Sequence, residues 1–245
     1  MRAVDGVLFD IDDTLVETRA AFRVALAAVL AQYAPGADVD QALALWRADT
    51  GEHYRAYTRG ELTFHEQRRT RANELHAELG GPVLDEDGYR GWSELFDRAF
   101  AAAWTAHADA DPVLARLLDA GLRIGALSNA RQDLQTVKLA RAGLGDRLEV
   151  LVGVDTLGFG KPDPRVFLEA CRRLGAAPAR TAYVGDELDV DAVAARQAGL
   201  VGVWLDRPGP RRVVVDDAEV AAARATGVHV IASLDELPAA LGVVR

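Results

Sequence analysis

The chain has 245 residues, half of them hydrophobic and 27% charged, a balance that suits a soluble globular fold of one large domain or of a core with an insert. Its formal net charge of −9 argues against a general nucleic-acid surface or an anionic-membrane surface, both of which rest on clustered Lys and Arg. An anionic small substrate stays open, provided that a cation is supplied locally. The single cysteine, Cys171, rules out an intrachain disulfide and, in a helical setting, reads as a packed thiol rather than a nucleophile.

The stretch Met1 to Asp5 has no positive segment leading into a long apolar one, so no signal peptide is expected. No run approaches the roughly 18 apolar residues of a membrane span. The expectation is a cytoplasmic protein with no membrane partner.

In chain order, the first predicted element is the apolar run Val7-Leu8-Phe9, which reads as a buried parallel strand. It ends abruptly in Asp10-Ile11-Asp12-Asp13-Thr14, so the acids fall at the C-terminal end of the strand, the edge where open α/β sheets bind ligands. Asp10 and Asp12 are two residues apart and in extended backbone share one side, with Ile11 turned toward the core. Acids at this place also cap turns and helices, so later strand ends must decide between the two readings.

About ninety residues of helical pattern follow, at Thr18 to Ala34, Val39 to Arg59, Thr63 to Leu79 and Asp87 to Ala106, punctuated by Pro35-Gly36, Gly60, Gly80-Gly81-Pro82 and Gly88. From Pro112 onward helix and strand alternate. Strands are predicted at Leu122 to Leu127, Leu148 to Val154, Thr181 to Val184, Val201 to Leu205 and Val228 to Ala232. Helices are predicted at Leu114 to Ala120, Gln132 to Ala142, Pro164 to Leu174, Val190 to Ala198 and Leu234 to Leu241, with Asp206 to Arg212 as a surface loop. Alternation with short connections implies right-handed βαβ units and a parallel sheet. The fold class is therefore α/β, a parallel-sheet core formed by residues 1–16 and 107–245 and interrupted by an all-helical insert at residues 17–106.

Three later segments complement the opening acids. Ser128-Asn129 offers a hydroxyl and a backbone turn at a helix start, both able to donate to an anion. Lys161 stands just before a helix, with Pro162 fixing the backbone beside it. Gly185-Asp186 through Asp191 sets acids at the end of another strand and in the following turn.

In this order the motifs resemble those of the haloacid dehalogenase superfamily of phosphotransferases: Asp10-Ile11-Asp12-Asp13-Thr14, Ser128, Lys161, and Gly185-Asp186 through Asp191. The resemblance spans nearly the whole chain and implies a Rossmann-like core whose helical insert is the family's cap, expected to close over the site and choose the substrate.

The activity that the resemblance implies is hydrolysis of a phosphate monoester on a small metabolite. Asp10 would attack phosphorus to form an aspartyl-phosphate. Asp12 would protonate the leaving oxygen and then deprotonate the attacking water. An ordinary aspartate, with a pKa of about 3.9, is a poor acid at neutral pH, so like-charged neighbours would have to favour its protonated form. A phosphate dianion beside four acids meets repulsion of roughly 4 kcal/mol per close pair at an effective dielectric of 20, which calls for Mg²⁺. By the resemblance, Asp10, the main-chain carbonyl of Asp12 and Asp186 are direct ligands, and Asp191 holds a metal-bound water. Ser128 and Lys161 would grip the phosphoryl oxygens, with Asn129 and Thr14 beside the substrate and Thr14 mainly ordering the loop.

One departure is Val190, where many relatives carry Asn, which leaves a thinner polar surround for Asp191. In the insert, Arg19, Arg23 or Tyr54 is a candidate to face the catalytic mouth and bind the leaving group, and Arg68-Arg69-Arg71 forms a basic cluster among interleaved acids. The alternatives are a phosphomutase, a 2-haloacid dehalogenase, disfavoured by the second acid Asp12, and a non-catalytic binding module. Monomer and homodimer are both open.

Overall fold

The computed structural model describes residues 4–209 and 213–243. The chain forms two compact units, one from the residues up to Val16 and from Ala106 onward, the other from Glu17–Thr105.

In the first unit the opening apolar run is β1 (Gly6–Phe9), buried along its whole length. The second unit carries α1 (Thr18–Tyr33), α2 (Val39–Ala48), α3 (His53–Thr58), α4 (Phe64–Leu79) and α5 (Glu86–Ala102). Sequence periodicity predicts one helix over 39–59, but the structure breaks it between Ala48 and His53. Asp49 and Glu52 adopt left-handed backbone there, with φ of 47° and 53°. The Asp49 carboxylate accepts the backbone N–H groups of Tyr54 at 3.0 Å and Arg55 at 3.4 Å, a local side-chain to backbone pairing that competes with continued helix.

The interior of this unit is aromatic. Phe22 stacks on Phe100 at a centroid distance of 4.6 Å, and Trp92 on Phe96 at 5.0 Å. Two arginines of the predicted basic cluster are absorbed into this interior. Arg71 lies 4.2 Å over Trp46 and pairs with Asp49 at 3.2 Å, and Arg68 lies 4.5 Å over Phe96 and pairs with Asp97 at 2.7 Å. Arg69 pairs with Glu86 at 2.8 Å.

Back in the first unit, the chain continues through α6 (Ala110–Asp119), β2 (Arg123–Leu127), α7 (Gln132–Arg141), β3 (Val150–Val152), α8 (Pro164–Leu174) and β4 (Thr181–Gly185). A π-helical turn, Leu188–Val193, runs into α9 (Ala194–Gln197), where sequence predicts one helix over 190–198. Then come β5 (Val201–Leu205), α10 (Asp217–Ala225), β6 (His229–Ile231) and α11 (Leu237–Ala240). α10 is absent from the predicted elements, although Asp216 and Glu219 form a reciprocal capping box at its start. Of the predicted loop at 206–212, residues 206–209 carry neither helix nor strand, and 210–212 lie outside the described residues, as do Met1 to Ala3 of the leader reading.

The six strands form one parallel sheet in the order β3-β2-β1-β4-β5-β6. This is the doubly wound order, in which the chain reverses direction across the sheet at β1 and β4. The C-terminal ends of those two neighbours form the crevice of the fold, and Phe9 pairs there with Val184. Among the described residues no helix is long and apolar enough to cross a membrane.

Candidate active site

Asp10 follows β1 directly, and its N–H extends the ladder to the Val184 carbonyl at 2.8 Å. Ile11 is fully buried, so the backbone alternates as the spacing implies. A tight turn follows. Leu15 and Val16 both donate to the Ile11 carbonyl, and Asp13 takes left-handed backbone at φ 60° while its N–H reaches Val16. Aspartate tolerates that conformation better than most residues, which gives the third acid of the motif a backbone role. Thr14 is fully buried, and its carbonyl accepts from Arg207 at 3.0 Å.

Lys161 sits at the centre of the site. Its Nζ donates to Asp10 Oδ1 at 2.7 Å, to Asp191 Oδ1 at 2.7 Å and to the Tyr183 hydroxyl at 2.8 Å, and the side chain is 4% exposed. Burial works against its ammonium, yet Asp10 and Asp191 outweigh that and hold its pKa well above the usual lysine value. The backbone around Lys161 is clamped by Asn129, whose Oδ1 accepts the Lys161 N–H at 2.6 Å and whose Nδ2 donates to the Lys161 carbonyl at 3.0 Å. The approach needs a glycine at position 160, where a Cβ would meet Asn129 Oδ1 at 2.2 Å. Asn129 thus reaches the site through its side-chain hold on Lys161.

Asp186 follows β4, and Asp191 lies in the π-helical turn, where it accepts the Glu187 N–H at 2.9 Å. Gly185 is again required by close approach, because a Cβ there would stand 2.3 Å from Asp191 Oδ2. The surround of Asp191 is therefore polar without an Asn at position 190, supplied by Lys161, the Glu187 amide and the Tyr183 hydroxyl at 3.4 Å.

Carboxylate oxygens of Asp10, Asp186 and Asp191 lie within 4.8 Å of one another. Burial, joined by the charges of Asp191 and Asp12, outweighs the pull of Lys161 and raises Asp10 to about 8. Burial and then the charges of Asp13, Glu187, Asp10 and Asp191 hold Asp186 well above the usual range, and Asp191 is raised by burial against Lys161. Among the described residues no cationic side chain reaches the Asp186 carboxylate. Three clustered acids, of which Lys161 pairs with only Asp10 and Asp191, leave negative charge uncompensated, and an all-oxygen donor set of this kind fits a hard divalent cation.

Asp12 belongs to a second, separate network. Lys138 Nζ donates to Asp12 Oδ1 at 2.5 Å and Gln135 Nε2 donates to Asp12 Oδ2 at 2.6 Å. The same Gln135 amide reaches Ser128 Oγ at 2.8 Å, which also accepts the Ala130 N–H at 3.1 Å. The sequence reading looks for like-charged neighbours around Asp12, whereas the group in direct contact is an ammonium. Gln135, Lys138 and Tyr183 are absent from that reading. The available signals were a Gln and a Lys three apart on the helix face that also buries Leu139, and a tyrosine inside a buried strand, where its hydroxyl must find a partner.

Residues 4–199 match the family described as haloacid dehalogenase-like hydrolase. A glyceraldehyde 3-phosphate phosphatase from Methanopyrus kandleri is 38% identical over 99 residues, which are 40% of this chain and 42% of that protein, so the match spans less than half of the relative. A ribulose-1,5-bisphosphate 5-phosphatase from Halopiger xanaduensis is 29% identical over 239 residues, 95% of this chain and 97% of that one. Among solved structures, a HAD family hydrolase from Deinococcus radiodurans R1 with bound phosphate and sodium superposes at a TM-score of 0.74 with 26% identity, covering 100% of this chain and 99% of the other. With four-fifths of its length matched by the family and the motif residues gathered at the sheet's switch point, this chain belongs to the haloacid dehalogenase-like hydrolases.

Proposed function

We propose that the protein is a Mg²⁺-dependent phosphatase that hydrolyses a small-molecule phosphate monoester through a phosphorylated Asp10. The observation that carries this reading is the cluster of Asp10, Asp186 and Asp191 within 4.8 Å around a single buried lysine. That arrangement suits a phosphate dianion brought in with a cation, whereas displacement at the carbon of a 2-haloacid would not require the metal-binding acids.

Asp10, the main-chain carbonyl of Asp12 and Asp186 would hold the ion, with Asp191 binding through a water. When bound, Mg²⁺ supplies positive charge that offsets the phosphate dianion and keeps Asp10 ionised. The remaining work falls to the chain. Asp10 attacks phosphorus in line with the leaving oxygen, and the P–O bond to the alcohol breaks as the aspartyl-phosphate forms. Asp12 gives its proton to that oxygen and later takes one from the water that cleaves the acyl phosphate. Lys161 and Ser128 hold the transferring oxygens, and Asn129 holds Lys161. Residues 17–105 serve in this reading as the cap that selects the substrate.

The names of the relatives support the substrate class, since those proteins are phosphatases of glyceraldehyde 3-phosphate and of ribulose 1,5-bisphosphate. A screen of phosphorylated metabolites with Mg²⁺, read as released phosphate, tests the proposal. Wild-type protein releases phosphate, a chelator stops it, and Asp10→Asn falls by about 10⁴-fold or more. Equal turnover by wild type and Asp10→Asn removes the assignment. Dependence on a sugar bisphosphate activator, with no net phosphate release, would favour the mutase reading.

A further inference from the structure

We propose that Gln135 and Lys138, on one face of α7, are positioning residues that lock the Asp12 carboxylate to the Ser128 hydroxyl, so that leaving-group protonation and phosphoryl binding share one rigid frame. The inference rests on the phosphatase reading above and adds to it two residues that lie outside the four family motifs.

The first support is an inversion of burial. Lys138 is 2% exposed and Gln135 fully buried, while their apolar neighbour Val137 is 48% exposed. Packing alone would turn this helix the other way, since a buried ammonium is unfavourable unless it is paired. α7 therefore gives up an apolar contact to bring a cation and an amide to Asp12.

The second support is that each oxygen of Asp12 has its own donor, Lys138 on Oδ1 and Gln135 on Oδ2. A carboxylate held at both oxygens by two residues one helical turn apart cannot rotate about its last torsion without breaking one of the bonds. The residues sit at i and i+3, so a single rigid element sets both contacts.

The third support is the orientation of Gln135. Its Nε2 is the end that faces both Asp12 and Ser128 and donates to each. Its Oε1 is left buried with no partner. A glutamine chosen to satisfy the core would not strand its acceptor in this way. On Ser128, the lone pairs of Oγ receive the Gln135 amide and the Ala130 N–H. The hydroxyl proton is thereby turned away from both donors and is available to an anionic oxygen. Gln135 thus ties the group that holds the phosphoryl to the group that handles the leaving oxygen.

The test uses kcat/KM, which reports steps up to departure of the leaving group, on two esters. p-Nitrophenolate leaves as a stable anion and needs no proton, whereas an alkoxide does. Lys138→Met should lower kcat/KM for an alkyl phosphate by about 10²-fold and for p-nitrophenyl phosphate by less than about 5-fold. Gln135→Leu, which also releases Ser128, should lower both, the alkyl phosphate by about 10-fold more. Lys138→Arg should recover part of the alkyl loss. An equal fall on both esters, or no fall on either, overturns the proposal. If Lys138→Met does not fold by circular dichroism, Gln135→Leu and Lys138→Arg decide the question by the same ratio. A wild-type protein that releases no phosphate from either ester overturns the phosphatase reading and this inference together, whereas an active wild type with an unchanged ester ratio in the variants overturns the inference alone.

Discussion

Arg68 and Arg71 of the helical unit and Lys161 of the core are arranged on opposite principles. In the helical unit Arg68 and Arg71 each pair with a carboxylate and lie over two aromatic rings, so charge is matched pair by pair. In the core, Lys161 meets Asp10 and Asp191 at once, and Asp186 has no cation among the described residues. A matched pair holds a fold together, and a surplus of acid waits for a cation. The same residue types therefore mark structure in one region and chemistry in the other.

The surplus is most sharply exposed by Lys161→Met. Removing the shared ammonium leaves Asp10 and Asp191 buried without a cation, which should cost about 3–5 kcal/mol of stability in urea titration and lower kcat by about 10³-fold. A variant as stable and as active as wild type would erase the distinction between the two regions.

Metal addition attacks the contrast from the other side. Mg²⁺ at 100 times its dissociation constant should stabilise the folded chain by about 2.7 kcal/mol, seen as a higher melting temperature. Asp186→Asn should abolish that gain, while Asp97→Asn in the helical unit should leave it in place. Stabilisation that survives Asp186→Asn would move the ion elsewhere.

A matched pair also occurs in the core, where Asp109 meets Arg207 at 2.8 Å, the Leu234 N–H at 2.9 Å and the Ser233 hydroxyl at 2.9 Å. Burial pushes its carboxyl up, and these partners outweigh that and hold it at about 2. The folded pKa lies below the unfolded one, so the unfolded chain binds the extra proton. Stability from this group is full above pH of about 4 and is lost as the pH falls toward about 2, a change of about 2 kcal/mol. Acid titration of Asp109→Asn should lack that component.

The smallest effect is expected at Arg23, whose ion pair with Asp40 has side chains 55% and 71% exposed. Arg23→Ala should shift stability by less than about 0.5 kcal/mol. A selective fall in kcat/KM on one ester of a phosphate panel would instead assign Arg23 to substrate binding.

Much of the fold was legible because its signals are local. Pro164–Leu174 and Val201–Leu205 match the predicted bounds, since a proline start, a glycine stop and a β-branched apolar run each carry their own punctuation. The break at Asp49 was not legible, because it depends on a carboxylate choosing the amides of Tyr54 and Arg55 over solvent. At the site, acids at the ends of β1 and β4 stand out in sequence, and the structure brings Asp10, Asp186, Asp191 and Lys161 together. Gln135 and Lys138 do not stand out, for a lysine in an amphipathic helix reads as a solvated charge until tertiary packing buries it. Asp13 has no separate role in the sequence motif, and its left-handed backbone accounts for an acid at that position.

The central claim is that Asp10 carries the phosphoryl group, and borohydride reduction of the enzyme quenched during turnover tests it most directly. The account predicts homoserine at position 10, formed only with Mg²⁺ and a phosphate ester present and absent in Asp10→Asn. Phosphate release with no reduced residue, or with the reduced residue at Asp12, Asp186 or Asp191, would contradict it.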